Sequence, residues 1–172
     1  MLIQYRDKST DGQRRRYEAS ALRDLCSQYD AALIINDDVA LACAVGADGV
    51  HLGRNDAEPA LARHALGEQA IIGVSCYASL ERAHWAQAQG ADYVAFGSFH
   101  PSPTKPQAAQ ATLALLRRAR AELRLPLVAI GGILPEHVPA LIAAGADLVA
   151  VISGLQQGDA EAAAHAYAVQ FH

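Results

Sequence analysis

An α/β fold, and within that class a TIM-type (β/α)8 barrel lacking its first βα unit, is what this sequence predicts from three observations. The first is a repeat. Gly46-Ala-Asp-Gly-Val-His-Leu-Gly, Gly90-Ala-Asp-Tyr-Val-Ala-Phe-Gly and Gly145-Ala-Asp-Leu-Val-Ala-Val-Ile share one pattern, 44 and 55 residues apart. Each step is roughly two βα units. The second is the nature of the apolar runs. Most are short, β-prone and apolar throughout, as parallel strands covered on both faces must be. The third is that no Gly-x-Gly-x-x-Gly fingerprint marks the reversal an open doubly wound sheet would need. The 172 residues suffice for one domain with a sizeable core, spanning 1–172.

The elements follow in order. A strand over 2–5 opens the chain at Met1. A helix is expected over 13–29 and a strand over 33–36. A helix over 39–45 runs into Gly46, which can take the left-handed conformation that ends a helix, and strand 49–52 follows at once. Pro59 suits the first turn of a helix over 59–66. Strand 71–75, helix 80–89 and strand 93–97 come next. After the Pro-rich segment 101–106 a helix is expected over 109–123, then strand 127–131. Pro135 suits the start of a helix over 136–144, and strand 148–152 and helix 160–170 close the chain. Seven βα units fall one short of the eight that close a barrel.

Composition excludes several functions. A net charge of −4 gives no reason to expect a nucleic-acid partner. No apolar run approaches the ~18 residues needed to cross a bilayer. The first residues lack the layout of a signal peptide. Cys26, Cys43 and Cys76 are odd in number, far apart and without a Cys-x-x-Cys, so they read as reduced thiols in a cytoplasmic protein. The run Arg14, Arg15, Arg16 reads as a solvated helix face.

In a barrel the chemistry lies at the C-terminal strand ends. The first end supplies Gln4, Arg6 and Lys8, which alternate and so project to one side. The second supplies Asn36, Asp37 and Asp38, and the third His51, Arg54, Asn55 and Asp56. Ser75 ends the fourth. The fifth opens into His100, Ser102, Thr104 and Lys105, donors stiffened by prolines and suited to a phosphate. Gly131-Gly132 and Ser153-Gly154 are small residues at the last two ends, where barrels bind phosphate with bare backbone N–H groups. Asp37 and Asp56, at neighbouring ends, suit Mg2+ shared with substrate phosphates. Helix capping by Asp37 or Asp38 and a turn at Asn55-Asp56 compete with that reading for each residue alone. Three cations, Arg6, Lys8 and Lys105, beside a metal suit a departing diphosphate. His51 is expected inside the packed strands and His100 along its loop; Trp85 and Cys76 read as packing.

Seven stretches in order then resemble the thiamine-phosphate synthase family. They are Leu2-Ile-Gln-Tyr-Arg-Asp-Lys, Leu33-Ile-Ile-Asn-Asp-Asp, Gly46-Ala-Asp-Gly-Val-His-Leu-Gly with Asp56, Ile72-Gly-Val-Ser, the segment 97–105, Ala129-Ile-Gly-Gly-Ile and Val149-Ala-Val-Ile-Ser. The resemblance implies a transferase of thiamine biosynthesis. It would join 4-amino-5-hydroxymethyl-2-methylpyrimidine diphosphate to thiazole phosphate and release pyrophosphate, with Mg2+ as cofactor. It implies pyrimidine-diphosphate contacts at Gln4, Tyr5, Arg6, Asp7, Lys8, Asn36, Ser75 and Lys105, with Lys105, Arg6 and Lys8 catalytic. Asp37 and Asp56 would hold the metal. Thiazole-phosphate contacts are implied at Ser102, Pro103, Thr104, Gly131, Gly132, Ile152 and Ser153. Partners are then small molecules, with no nucleic acid or membrane, and a homo-oligomer stays open. Two alternatives also stay open: a thiazole tautomerase of the same lineage, and an inactive thiazole-phosphate-binding or regulatory protein. The chain departs from the family in having Arg54-Asn55 before Asp56, which adds a positive charge beside the metal. It also lacks about one βα unit ahead of Leu2. An unfilled gap would leave raw edges at 2–5 and 148–152, and low stability or self-association is expected.

Overall fold

The structure is a computed structural model and describes residues 1–100, 110–156 and 158–171. It falls into two compact units, one of residues 1–75 and 88–92, the other of 76–87 and 93–172.

In the first unit β1 (Leu2–Tyr5), β2 (Ala32–Asn36), β3 (Gly49–Leu52) and β4 (Ile71–Tyr77, in this unit up to Ser75) pair in parallel and in chain order. Between them run α1 (Gly12–Gln28), α2 (Val39–Val45) and α3 (Pro59–Leu66). Register sets Asn36, the last residue of β2, beside His51, one residue before β3 ends. The Asp11 carboxylate caps α1 by accepting the Arg14 N–H at 3.0 Å. Ala19, Leu22 and Cys26 recur at helical spacing and pack on Leu33, Ile35, Val50, Leu52 and Ile72. Each of those large strand side chains, fully buried, contributes about 1.5–3 kcal/mol.

The second unit holds most of α4 (Leu80–Ala88), then β5 (Tyr93–Gly97), α5 (Leu113–Glu122), β6 (Leu127–Ile130), α6 (Val138–Ala143), β7 (Leu148–Ala150) and α7 (Ala160–Ala168). The strands β5, β6 and β7 pair in parallel and in order. Short 3-10 turns occupy Pro135–His137, Ser153–Leu155 and Val169–Phe171. Val94, Phe96, Leu127, Leu116 and Leu141 form its buried centre.

The boundaries differ from the sequence expectation where a side chain sets them. α5 starts at Leu113 because the Thr112 hydroxyl accepts the Leu115 N–H at 3.1 Å. The Ala111 N–H donates to Ser98 O at 2.9 Å. β6 stops at Ile130 because Gly131 takes φ +101°. β7 is only three residues long, and β4 continues to Tyr77. Arg82 lies over the Trp85 ring, 5.0 Å from its centre, and Cys76 is buried, so both residues do pack.

The Gly-Ala-Asp repeat acquires a physical reason. Gly46, Gly90 and Gly145 all have positive φ, as expected. The aspartate after each ties two strands together. Leu33 N–H donates to the Asp48 carboxylate at 2.7 Å while Asp48 N–H donates to Leu33 O at 2.9 Å. Ile72 and Asp92 do the same at 2.6 and 2.8 Å, and Leu127 and Asp147 at 2.7 and 2.9 Å. An arginine on the helix before the first strand completes each clasp. Arg23 lies 3.6 Å from Asp48, Arg63 2.6 Å from Asp92 and Arg120 2.8 Å from Asp147. The sequence repeat showed the aspartates and hid the arginines.

Among the described residues no helix is long and apolar enough to cross a membrane, and no disulfide joins the three cysteines.

Candidate active site

The C-terminal ends of β1, β2 and β3 gather charge in the first unit. Alternation along β1 and beyond leaves Gln4, Arg6 and Lys8 exposed. The intervening side chains are committed to α1. Tyr5 donates its hydroxyl to Glu18 at 2.7 Å. Asp7 accepts the Ser9 N–H and hydroxyl, both at 2.8 Å, and the Arg14 guanidinium at 2.8 Å. Backbone and hydroxyl donors from Ser9, then Arg14, hold the Asp7 carboxyl down at about 2. Tyr5 and Asp7 therefore differ in placement from the other residues of that strand end.

Asp37 is the centre of the cluster. Its φ is +65°, and Asp38 N–H donates to Asn36 O at 2.8 Å, so Asp37 sits at the middle of a tight γ-type turn. A non-glycine residue in that region carries strain and persists only where neighbours hold it. Here Asp37 N–H donates to His51 O at 2.8 Å, and Asp38 caps α2 through Leu41 N–H at 2.9 Å. The Asp37 carboxylate forms an ion pair with Lys8 and a hydrogen bond with Asp56. Asp56 is fixed by Gly53 N–H at 2.6 Å.

The two carboxyls are driven apart in acidity. Burial alone would raise Asp37, but hydrogen bonds from Lys8 and Asp56 and the charges of Lys8 and Arg6 hold it below the usual range. Burial and then the hydrogen bond to Asp37 raise Asp56. The two carboxyl groups thus crowd negative charge at one place, which favours a bound cation there. Among the described residues no cluster of three or more His, Cys, Asp or Glu could hold a metal. A pair of carboxylates open to further oxygen ligands suits Mg2+, which keeps several waters, better than zinc.

His51 is buried, as expected, and its Nε2 lies 2.7 Å from the Ser75 hydroxyl. Burial pushes it down to about 4, so it is neutral at pH 7.

The second unit presents turns rather than charges. Gly131 and Gly132 both have positive φ at the end of β6. A Cβ on Gly131 would fall 2.1 Å from the Ser98 hydroxyl, so only glycine lets the β5 and β6 ends come this close. His100 N–H donates to Gly131 O at 3.0 Å, and its ring stacks on His137 at 3.7 Å between centres. Ile152 and Ser153 are exposed after β7, where Ser153 opens a 3-10 turn. Tyr167 braces both turns. Its hydroxyl donates to Ile133 O at 2.9 Å, and it fills the space a Cβ on Gly154 would need, 2.0 Å away. Neither His137 nor Tyr167 was singled out from the sequence, and no local pattern marks them. Ser102, Pro103, Thr104 and Lys105 lie outside the described residues.

Parallel βα units that carry paired carboxylates and cations at strand ends of the first unit, and glycine turns at strand ends of the second, follow the pattern of (β/α)-barrel enzymes. The family model described as thiamine monophosphate synthase matches residues 1–155. A thiamine-phosphate synthase of Nitrosococcus oceani is 57% identical over 171 residues, 99% of this chain and 79% of that protein. One of Azoarcus sp. is 62% identical over 152 residues, 88% of this chain and 74% of that protein. The solved thiamine phosphate pyrophosphorylase of Pyrococcus furiosus superposes with TM-score 0.90 and 34% identity, covering 99% of this chain and 82% of that one. The chain belongs to the thiamine monophosphate synthase family, and it is a transferase with that family's barrel-type fold, with seven βα units among the described residues.

Proposed function

We propose that this chain condenses 4-amino-5-hydroxymethyl-2-methylpyrimidine diphosphate with thiazole phosphate, in the cytoplasm and with Mg2+, by a dissociative substitution. The bond from the methylene carbon to the diphosphate oxygen breaks, and its electron pair leaves with pyrophosphate. The thiazole nitrogen then gives its lone pair to the methylene carbon. No protein nucleophile is needed, so the protein's task is positioning and charge neutralisation.

Arg6, Lys8 and Lys105 neutralise the departing pyrophosphate, while Gln4, Asn36 and Ser75 orient the pyrimidine half. Asp37 and Asp56 would hold Mg2+, which when bound supplies Lewis-acid charge to the leaving group. Lys8, paired with Asp37, is free to turn to the diphosphate once a cation takes its place. Gly131, Gly132, Ile152 and Ser153, with Ser102 and Thr104, hold the thiazole phosphate by backbone and hydroxyl donors, and Pro103, which has no donor of its own, stiffens the segment between Ser102 and Thr104.

The observation that carries this reading is the hydrogen-bonded Asp37–Asp56 pair with Lys8 on it. Purified chain given both substrates should form thiamine phosphate and pyrophosphate in equal amounts, and EDTA should stop it. Isomerisation of the thiazole without condensation would favour a tautomerase, and binding without turnover a regulatory protein.

A further inference from the structure

The arginine run at 14–16 is not a uniformly solvated face. Arg14 grips Asp7 and Ser9 after β1. Arg15 reaches the other way, and its Nη2 donates to Asp38 Oδ2 at 2.9 Å, with about a fifth of its side chain exposed. Its Nε is enclosed and meets no acceptor among the described residues. An enclosed donor without a partner costs free energy, so the guanidinium is held where the Asp38 contact requires it.

Asp38 is the residue next to the strained Asp37. Its two carboxylate oxygens are divided: Oδ1 accepts the Leu41 N–H that starts α2, and Oδ2 accepts Arg15. The cap fixes Asp38 to its own helix. The arginine fixes it to a different element, α1. Asp38 N–H in turn closes the turn that aims the Asp37 carboxylate.

We propose that Arg15 is a positioning residue for the metal site: by clamping Asp38 it holds Asp37 in its left-handed turn and so sets cation affinity. This rests on the reading of Asp37 and Asp56 as metal ligands. Residues one step removed from a metal commonly change its affinity 10- to 100-fold, by orienting the ligands.

The test is Mn2+ binding in the presence of inorganic pyrophosphate, followed by electron paramagnetic resonance on the intact chain. Arg15→Met should weaken Mn2+ about tenfold, with turnover at saturating metal within about twofold of the unaltered chain. Arg15→Lys should recover part of the affinity. Asp38→Asn keeps the helix cap and loses the charge; it should show the same weakening and serves if Arg15→Met fails to fold. The double variant should be no weaker than either single one. Unaltered affinity in folded variants overturns the Arg15 assignment alone, as do additive effects. No Mn2+ binding by the unaltered chain overturns both this inference and the metal reading beneath it.

Discussion

The N-terminal ends of β2, β4 and β6 are each held by the same groups: a strand N–H, an aspartate from the next strand's start and a helix arginine. The C-terminal ends share nothing of the kind. One is followed by a γ-turn aspartate, one carries a serine on a buried histidine two residues before it ends, one is followed by a double glycine. The repeated end is built for stability, because any strand pair can use the same clasp. The unrepeated end is built for chemistry, because each position must meet a different part of the substrates. The two ends should therefore respond oppositely to mutation.

The largest effect is expected at the C-terminal end. Asp56→Ala removes a proposed metal ligand and should lower turnover about a thousandfold, an increase of about 4 kcal/mol in the barrier. Its urea midpoint should match that of the unaltered chain. A midpoint that falls as steeply as the rate would mean that Asp56 is structural, and the contrast between the ends would fail.

Next is a stability effect that the substrate-facing groups do not share, from a buried histidine beneath that end. His51 is pushed down to about 4, whereas an unfolded chain's histidine takes a proton near pH 6.5. Between those values the unfolded chain binds more protons. The contribution is therefore complete above pH 6.5 and is lost as pH falls toward 4, on the order of 3 kcal/mol in all. Urea unfolding of the metal-free chain at pH 7 and 4.5 measures it. His51→Gln should flatten that slope, and an unchanged slope would place the titration elsewhere.

The smallest effect belongs to a clasp. Asp147→Ala frees the Leu127 N–H and the Arg120 guanidinium and should cost about 2 kcal/mol. That corresponds to a melting temperature about 4–8 °C lower in a chain of this size. Activity at 25 °C should stay within about twofold. Arg120→Ala should give a similar loss, and the pair should not add.

The strands were legible because burial on both faces leaves continuous apolar runs, and 49–52 and 93–97 were placed to the residue. Asp37 and Asp56 were legible as acidic residues at neighbouring strand ends, and their role as metal ligands is a proposal. The arginine partners were not. Arg23, Arg63 and Arg120 lie 25, 29 and 27 residues before their aspartates, so varying loop lengths erase any fixed spacing. The solvated-face reading of 14–16 fits Arg14 and Arg16, which are exposed, and misses Arg15 for a related reason. Hydropathy reports whether a side chain can be wet, and not which carboxylate it meets on another element. Tyr167 escaped because its role is to fill the space above Gly154, which no neighbour in sequence announces.

The clasps also bear on how the chain comes off the ribosome. Each joins groups fewer than 30 residues apart along the backbone, so its closure carries a small loop-entropy penalty. The first can form once Asp48 has left the exit tunnel, the second at Asp92 and the third at Asp147. Synthesis would then proceed as three ratchet clicks, with amide-exchange protection arriving in that order on Leu33, Ile72 and Leu127.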